Sequence, residues 1–335
     1  MRFATYNIEW FNALFDEKDL LLRDDSPSGR CNVTRAAQAD AIATVLHALD
    51  ADAVMVIEAP DTSRQQSVVR ALGNFAEVYR LRTRAAVTGF ANDTKQEIAL
   101  LFDPEKLRAQ HAPRPGTGDI PRFDGVFEID LDIDARRDQV RFSKPPLELD
   151  VTTSGGLALK MIGVHLKSKA PYRAKTPQDV TRISIANRRK QLAQAIWLRH
   201  RVDQILAEGA SLIVLGDLND GPGLDSFEHL FGRSSVEIVL GDAPQKQLFD
   251  PHAARALGPR FGAVPTTARF WIHQEKRYLQ ALLDYIMLSP DLEACEPRWR
   301  IWHPLDDPFC WSNPALREAL VTASDHFPVT VDLTD

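Results

Sequence analysis

The apolar run LIVL at residues 212–215 leads directly into GDLND at residues 216–220. Consecutive apolar residues in an extended segment indicate an interior strand whose sheet is covered on both faces. This run therefore requires a layered fold. Strand-like and helix-like patterns alternate along the whole chain, without a repeat or a convincing linker, so we expect residues 1–335 to form a single α/β domain.

The periodicity of apolar residues predicts the individual elements. Strands are expected at residues 2–8, 53–57, 78–82, 98–102, 157–165, 212–215, 283–288 and 327–333. Helices are expected at residues 34–50, 63–75 and 179–208. Segment 104–146, rich in Pro and Gly, is expected to form long loops around one or two strands, of the kind that shapes substrate entry. Segment 298–314 is expected to be a loop whose Trp residues either pack locally or stack nucleic-acid bases.

The polar end of the run at residues 216–220 has two interpretations. Gly, Asn and Asp are ordinary turn residues, so the segment can simply be a tight turn. Alternatively, Asp217 and Asn219 are two residues apart and would face the same way on an extended segment. They would then present a carboxylate and a carboxamide to one cleft. Taken alone, the segment favours the turn.

Further polar residues stand where other apolar strands begin or end. They are Asn7, Glu9, Glu58, Glu97, His165, Asp284, Asp325 and His326. Each one alone has an ordinary explanation, as a solvated side chain or a turn residue. Together with the GDLND segment they form an oxygen-rich set without a Cys ligand, which suits Mg²⁺ or Mn²⁺ better than a structural Zn²⁺. Such a set fits phosphate-ester hydrolysis, which needs a cation on the non-bridging oxygens and a base for water.

Six motifs in order resemble the endonuclease/exonuclease/phosphatase superfamily, also described as DNase I-like. They are YNIEW, VIEA, GVHLKSK, GDLND, LDYI and SDHFPV, and the resemblance runs from about residue 2 to residue 333. It implies a four-layer α/β sandwich, in which two mixed β-sheets pack face to face with helices on the outside. It also implies a metal-dependent phosphoric ester hydrolase whose site lies at one end of the sheets.

The resemblance implies a metal site. Glu58 would be the main ligand of Mg²⁺ or Mn²⁺, Asp325 either a further ligand or a partner of the carboxylate–histidine pairs, and Asn7 would help to position metal or phosphate. Glu9 occupies a position where family members often carry a second acidic residue. The Gln that commonly precedes the metal-binding Glu is replaced by Ile57, from which we expect little effect.

The resemblance also implies catalytic roles. Asp217 would orient or deprotonate the attacking water, with Asn219 holding Asp217 and the phosphate. Asp284 would orient His326, which would contact the scissile phosphate or transfer a proton.

His165 would stabilise the charge of the transition state or protonate the leaving group. DNase I pairs this His with a Glu from an earlier strand, and Glu97 matches that position. Other branches of the family rely on the metal and Asp217 instead. The sequence leaves both alternatives open.

The substrate is indicated only by charge. Residues 167–190 hold eight basic side chains and one acid, which suits a polyanion or a solvated helix face equally well. We take four of them as substrate-binding candidates: Lys167, Lys169, Arg188 and Arg189. The HLKSK stretch is similar to bacterial DNase-like members, so a nuclease acting on DNA is favoured, although the net charge of −6 argues against a general nucleic-acid coat protein. The alternatives are a phosphomonoesterase, an inositol-phosphate, phospholipid or nucleotide phosphoesterase, and a non-catalytic scaffold.

Location is indicated by three features. No apolar run approaches ~18 residues, so no membrane span is expected. The first residues enter a strand pattern without the apolar stretch of a secretory signal. Cys31, Cys295 and Cys310 are few, odd in number and far apart, which fits a reducing compartment. We therefore expect a cytoplasmic protein.

Overall fold

The computed structural model describes residues 1–131, 137–172, 174–222, 231–258, 263–272 and 276–334. Its strands are β1 Arg2–Asn7, β2 Ala53–Ala59, β3 Ala85–Thr88, β4 Glu97–Phe102, β5 Leu107–His111, β6 Phe127–Ile129, β7 Asp138–Val140, β8 Leu147–Thr153, β9 Ala158–His165, β10 Leu212–Asp217, β11 Ala268–Ile272, β12 Arg277–Ala281, β13 Asp284–Leu288, β14 Arg298–Ile301 and β15 Val329–Asp332. Its α-helices are α1 Arg35–Leu49, α2 Val68–Tyr79, α3 Pro177–Ala207, α4 Ser235–Leu240, α5 Pro251–Leu257, α6 Pro290–Glu293, α7 Pro308–Ser312 and α8 Pro314–Ala323. A 3₁₀ helix spans Phe11–Leu14.

Two large sheets organise these elements. The first has six strands in the order β14-β15-β1-β2-β4-β3, and the second has five in the order β13-β10-β9-β8-β5. Both are mixed, because β1 pairs with β2 and β9 with β10 in parallel, whereas the other pairs are antiparallel. Two short hairpins, β6–β7 and β11–β12, stand apart from them.

The apolar faces of the two sheets pack against each other. Met55 and Leu100 from the first sheet and Met161 and Leu215 from the second belong to one buried cluster. Side chains of α1, α2 and α8 cover the other face of the first sheet, and those of α3, α4 and α5 cover the other face of the second. The predicted four-layer α/β sandwich is therefore confirmed. The buried run at residues 212–215 lies in β10, an interior strand covered on both faces, as its sequence required.

Several predicted elements differ from the structure. The strand expected at residues 78–82 is wrong, because α2 continues to Tyr79 and the chain turns at Arg80, whose φ is 54°. The helix expected from residue 63 begins only at Val68, where the hydroxyl of Ser67 caps it. The described residues of segment 104–146 hold three short strands, and β8 and the β11–β12 hairpin were not predicted at all. Short, partly exposed strands such as β11 and β12 carry little periodic signal, whereas β8 alternates Leu147, Leu149 and Val151 with polar residues and could have been predicted from that pattern.

The Trp-rich segment is also more regular than expected. It contains β14 and α7. Trp302 is buried, and the indole of Trp299 donates a hydrogen bond of 2.8 Å to the carbonyl oxygen of Ile286. These two residues therefore pack locally. Trp311 is exposed, with the guanidinium of Arg317 over its ring. Among the described residues, no helix combines the length and the apolar character that crossing a bilayer requires.

Gly163 marks the closest packing between the sheets and gives a stability prediction. A Cβ there would lie 2.5 Å from Sδ of Met55 and 2.9 Å from Cγ2 of Ile98. We expect Gly163→Ala to lower the free energy of unfolding by about 1–3 kcal/mol, because the opposite sheet must shift.

The matched control for Gly163→Ala is Gly73→Ala in α2, where an added Cβ would meet no atom within 4 Å. This substitution should raise the free energy of unfolding by about 0.5–1 kcal/mol, since Ala is the better helix former. Chemical denaturation measures both variants. Equal stabilities would mean that the sheets are not closely packed at Gly163.

Candidate active site

The predicted polar residues meet at one end of the two sheets. Since β1 and β2 are parallel, and so are β9 and β10, each pair ends at a common edge. A cleft of about 630 Å³ opens there. Of the residues predicted for the site, it is lined by Asn7, Glu9, Glu58, His165, Lys167, Asp217, Asn219, Asp325 and His326.

A β-bulge in β2 turns Glu58 into the cleft. The pairing of β2 with β4 shifts between Ile57 and Ala59, and Glu58 adopts a φ of 61°, which non-glycine residues rarely take. Its Oε2 accepts a hydrogen bond of 2.6 Å from the side chain of Gln96, and the backbone N–H of Trp10 donates to the carboxylate. Burial and the neighbouring Asp325 raise the pKa of Glu58. The bulge therefore holds an acidic side chain where another negative charge already lies nearby.

Asp217 ends β10 and is buried. Gly216 before it has a φ of 136°, and a Cβ there would overlap the carbonyl oxygen of Val164, so the close approach of β9 requires glycine. The carboxylate of Asp217 accepts hydrogen bonds from the backbone N–H of Asn219 at 2.7 Å, from its side chain at 3.1 Å, and from the side chain of Asn7 at 3.0 Å. Burial, with the nearby Asp284, raises the pKa of Asp217 to about 7. Both interpretations of GDLND apply: the chain turns in this segment, and Asp217 and Asn219 line the cleft.

Asp284 and His326 form the predicted pair. Nδ1 of His326 donates to Oδ2 of Asp284 at 2.8 Å, and the hydroxyl of Thr267 donates to the same oxygen at 2.8 Å. Burial alone would lower the pKa of His326, but the charges of Asp284 and Asp217 outweigh it and raise that pKa well above its usual value. These charges thus favour the imidazolium form of His326. Among the described residues, the potential ligand atoms of Asp217, Asp284 and His326 lie within 4.8 Å of one another.

His165 lies beside Asp217 and Lys144 in the structure. Its Nε2 is 3.7 Å from Oδ2 of Asp217, and Nζ of Lys144 lies 3.2 Å from its Nδ1. Burial and the charge of Lys144 lower the pKa of His165 well below its usual value. The predicted pairing with Glu97 is not formed, because the carboxylate of Glu97 accepts hydrogen bonds from Asn92 outside the cleft lining. The two pKa shifts are therefore opposite: the surroundings favour the cationic form of His326 and the neutral form of His165.

Two residues that contact the site were not identified from the sequence. Lys144 contacts His165. Burial lowers the pKa of Lys144, and the opposing effect of the charges of Glu58 and Asp217 is smaller. Gln96, the residue before Glu97, contacts Glu58. Lys144 lies just before β8, and β8 pairs antiparallel with β9, so the start of β8 lies beside the end of β9. Prediction of β8 from the sequence would therefore have placed Lys144 near His165.

Glu9 has partners within the protein. One carboxylate oxygen accepts a hydrogen bond of 2.8 Å from the indole of Trp10, and the other pairs with Arg30. Burial and the nearby Asp325 raise the pKa of Glu9 to about 7. Glu9 is thus in the cleft wall and held by its neighbours.

The eight basic residues at positions 167–190 form a basic strip in the sequence, but those that the structure describes do not share one environment. Lys167 lines the cleft. Arg188 is buried, and it pairs with the buried carboxylate of Asp220 at 3.4 Å, as Lys169 does at 2.5 Å. Arg189 pairs with Asp138 at 2.9 Å. Three of the four candidates therefore have acidic partners in the fold, and Arg173 of the strip lies outside the described residues.

A larger cavity of about 780 Å³ lies elsewhere, against α3 and α4. Leu192, Ile196 and Ile238 contribute apolar walls to it. None of the residues predicted for the site lines it. Because the acidic and histidine side chains converge in the smaller cleft, we regard that cleft as the candidate site.

Comparisons with known proteins agree with this geometry. The sequence model of the Endonuclease/Exonuclease/phosphatase family matches residues 4–326. An AP endonuclease from Archaeoglobus fulgidus has a similar structure, with 12% identity, a TM-score of 0.52 and 100% of both chains covered. Truncated TDP2 from Caenorhabditis elegans is also similar, with 15% identity, a TM-score of 0.51, and coverage of 100% of this chain and 97% of that one. A comparison with curated protein sequences gives no match. At these identities the structural likeness shows the fold alone.

Proposed function

The chain belongs to the endonuclease/exonuclease/phosphatase family, as its motifs predicted, and we propose on this basis that it is a Mg²⁺-dependent phosphodiesterase that cleaves nucleic acid, with DNA as the favoured substrate. One observation carries the proposal. A carboxylate with a pKa of about 7, Asp217, shares a cleft with the cationic side chains of His326, Lys144 and Lys167. A base poised near neutral pH and cations for phosphate oxygens are what hydrolysis of a phosphodiester needs.

The donor set of the cleft fits a hard divalent cation. Glu58 and Asp325 offer carboxylates there, and burial opposes the charge of Glu58, so a cation would relieve that cost. The side-chain oxygen of Asn7 is buried and accepts no hydrogen bond from any residue that the structure describes, which leaves a neutral oxygen available as a metal ligand. We propose that Glu58, Asp325 and Asn7 hold Mg²⁺ or Mn²⁺, with Glu9 nearby. The bound ion would neutralise the charge on the phosphate oxygens.

The side chains around the metal site would activate water and bind the phosphate. We propose that Asp217, oriented by Asn7 and Asn219, accepts a proton from water as the water oxygen bonds to phosphorus and the bond from phosphorus to the leaving ester oxygen breaks. The leaving alkoxide takes a proton from solvent. His326, kept cationic by Asp284, would bind a non-bridging phosphate oxygen. His165 is neutral and would donate a hydrogen bond to the same phosphate, with Lys144 beside it.

We further propose that residues 1–335 act as one domain. The support is that the cleft draws on both ends of the chain, from Asn7 to His326. In addition, β1 lies between β2 and β15 in the first sheet.

A substrate panel at fixed Mg²⁺ tests the proposal. It contains plasmid DNA, single-stranded DNA, RNA, bis-p-nitrophenyl phosphate, inositol phosphates and sphingomyelin. We expect cleavage of DNA and of the small diester, loss of both reactions in EDTA, and recovery when Mg²⁺ or Mn²⁺ is restored. His326→Ala should lose the activity as well, because it removes the cation that faces phosphate.

Two results would contradict the proposal. Release of phosphate from inositol phosphates or nucleotides without diester cleavage would identify a phosphomonoesterase. No activity on any ester, together with no heat of Mg²⁺ or Mn²⁺ binding in calorimetry, would identify a non-catalytic scaffold.

A further inference from the structure

Trp10 is an aromatic side chain exposed in the wall of the cleft. It lines the same cleft as Glu58, Asp217 and His326, and 50% of its surface remains accessible to solvent. A large indole in this position leaves apolar area in water that the core could have buried. Its exposure beside the reacting groups therefore indicates a surface that a ligand covers.

The indole of Trp10 is also held in one orientation. The backbone of Trp10 has a φ of 60°, which is a rare conformation for a bulky residue and is typical of strained functional positions. Its Nε1 donates to Glu9, and a Cβ on Gly29, whose own φ is 101°, would lie 2.9 Å from Cγ of the ring. Glycine at residue 29 thus lets the indole lie against the main chain. A ring fixed in this way loses little entropy when a flat ligand covers it.

Tyr172 is the second exposed aromatic residue of the cleft. It lines the cleft with 71% of its surface accessible. Lys144 and Lys167 also line it, so cations for a phosphate stand in the same space as the two rings. Aromatic faces combined with cations along a groove are the features that bind single-stranded nucleic acid, because every base has a face that can stack.

We propose that Trp10 and Tyr172 stack an unpaired nucleobase next to the phosphate that is cleaved. The inference rests on the proposed phosphodiesterase function and deepens it by naming the substrate as a single strand, or a frayed end, whose base leaves its own stack. A paired base inside a duplex presents its edge rather than its face, so it cannot make this contact.

The chain offers matched controls for both residues. Trp311 is 55% exposed and Tyr278 is 51% exposed, close to the values for the cleft residues or below them. Neither of them lines the cleft: Trp311 packs beside Arg317, and Tyr278 lies against Trp271 on the β11–β12 hairpin. Replacing them removes an exposed ring of the same kind from a different surface.

Binding tests the proposal without turnover. In an Asp217→Asn background with Mg²⁺, fluorescence anisotropy compares an eight-residue thymidine strand with an abasic strand of equal length and charge, and a ribouridine strand tests RNA in the same way. We expect the base-bearing strands to bind about tenfold more tightly or better. Trp10→Ala and Tyr172→Ala should each remove most of this preference, Trp10→Phe should keep part of it, and Trp311→Ala and Tyr278→Ala should keep all of it.

The outcomes separate this inference from the proposed function. Equal binding of the base-bearing and abasic strands, or equal losses in the cleft and control variants, would overturn base stacking. Absence of binding to any strand would overturn it too. Cleavage of bis-p-nitrophenyl phosphate by the wild-type protein would then leave the proposed function standing, whereas no diester cleavage at all would remove both. Thermal unfolding of each variant shows whether a loss reflects misfolding.

Discussion

Replacement of Asp217 by asparagine is expected to lower kcat for phosphodiester cleavage by about 10²–10⁴-fold, which is the usual contribution of a general base. The substitution keeps the size of the side chain but removes the group that accepts the proton. The backbone N–H of Asn219 can still donate to the oxygen that remains. Single-turnover kinetics on a saturating DNA strand measure the chemical step directly.

Folding of the Asp217→Asn variant should be nearly unchanged. Burial opposes the charge of Asp217 and raises its pKa to about 7, so removal of the charge offsets part of the cost of losing the hydrogen bonds that Oδ2 accepts from the side chains of Asn7 and Asn219, and the free energy of unfolding should fall by only about 1–2 kcal/mol. Asp250→Asn is the comparison, because Asp250 is equally buried but caps α5 away from the cleft. It should lose stability and keep kcat. A variant at residue 217 with unchanged kcat would remove Asp217 from the reaction.

The sequence predicted the layers and most of the site for a physical reason. Buried strands and amphipathic helices have distinct patterns of apolar residues, and β1, β2, β9 and β10 have such patterns in the sequence. The carboxyl ends of paired parallel strands lie at the same edge of a sheet, so polar residues that follow those strands lie close together. Asn7, His165 and Asp217 converge for this reason.

The contact between Glu58 and Gln96 could not be predicted from the sequence. Regular pairing of β2 with β4 continues from Ile57 opposite Ile98 and would put Glu58 opposite Glu97, on the same face. The bulge inserts one residue, so Ala59 lies opposite Glu97 and Glu58 contacts Gln96 instead. A β-bulge that contains neither Gly nor Pro has no recognisable sequence pattern. The resemblance to DNase I had assigned Glu97 to His165, and the structure places the carboxylate of Glu97 beside Asn92 instead.

Replacement of Glu58 by glutamine is expected to abolish metal binding at millimolar Mg²⁺. The amide keeps an oxygen that can accept from Gln96, but it removes the negative charge that the ion needs. Loss of an outer-shell partner of a metal already costs about 10–100-fold in affinity, so loss of a ligand should exceed 100-fold. Calorimetry with Mg²⁺ and Mn²⁺ measures the affinity, and cleavage of DNA at millimolar Mg²⁺ should fall to background.

Thermal unfolding gives a second readout of the same substitution. A ligand that binds only the folded state stabilises it by about 2.7 kcal/mol at a hundredfold excess over Kd, so added Mg²⁺ should raise the Tm of the wild-type protein and leave that of Glu58→Gln unchanged. Glu97→Gln is the informative comparison, because Glu97 is a buried carboxylate on the adjacent strand that contacts Asn92. Its Mg²⁺ response should match the wild type. If Glu97→Gln loses the response and Glu58→Gln keeps it, Glu58 does not bind the metal and the proposed metal site is wrong.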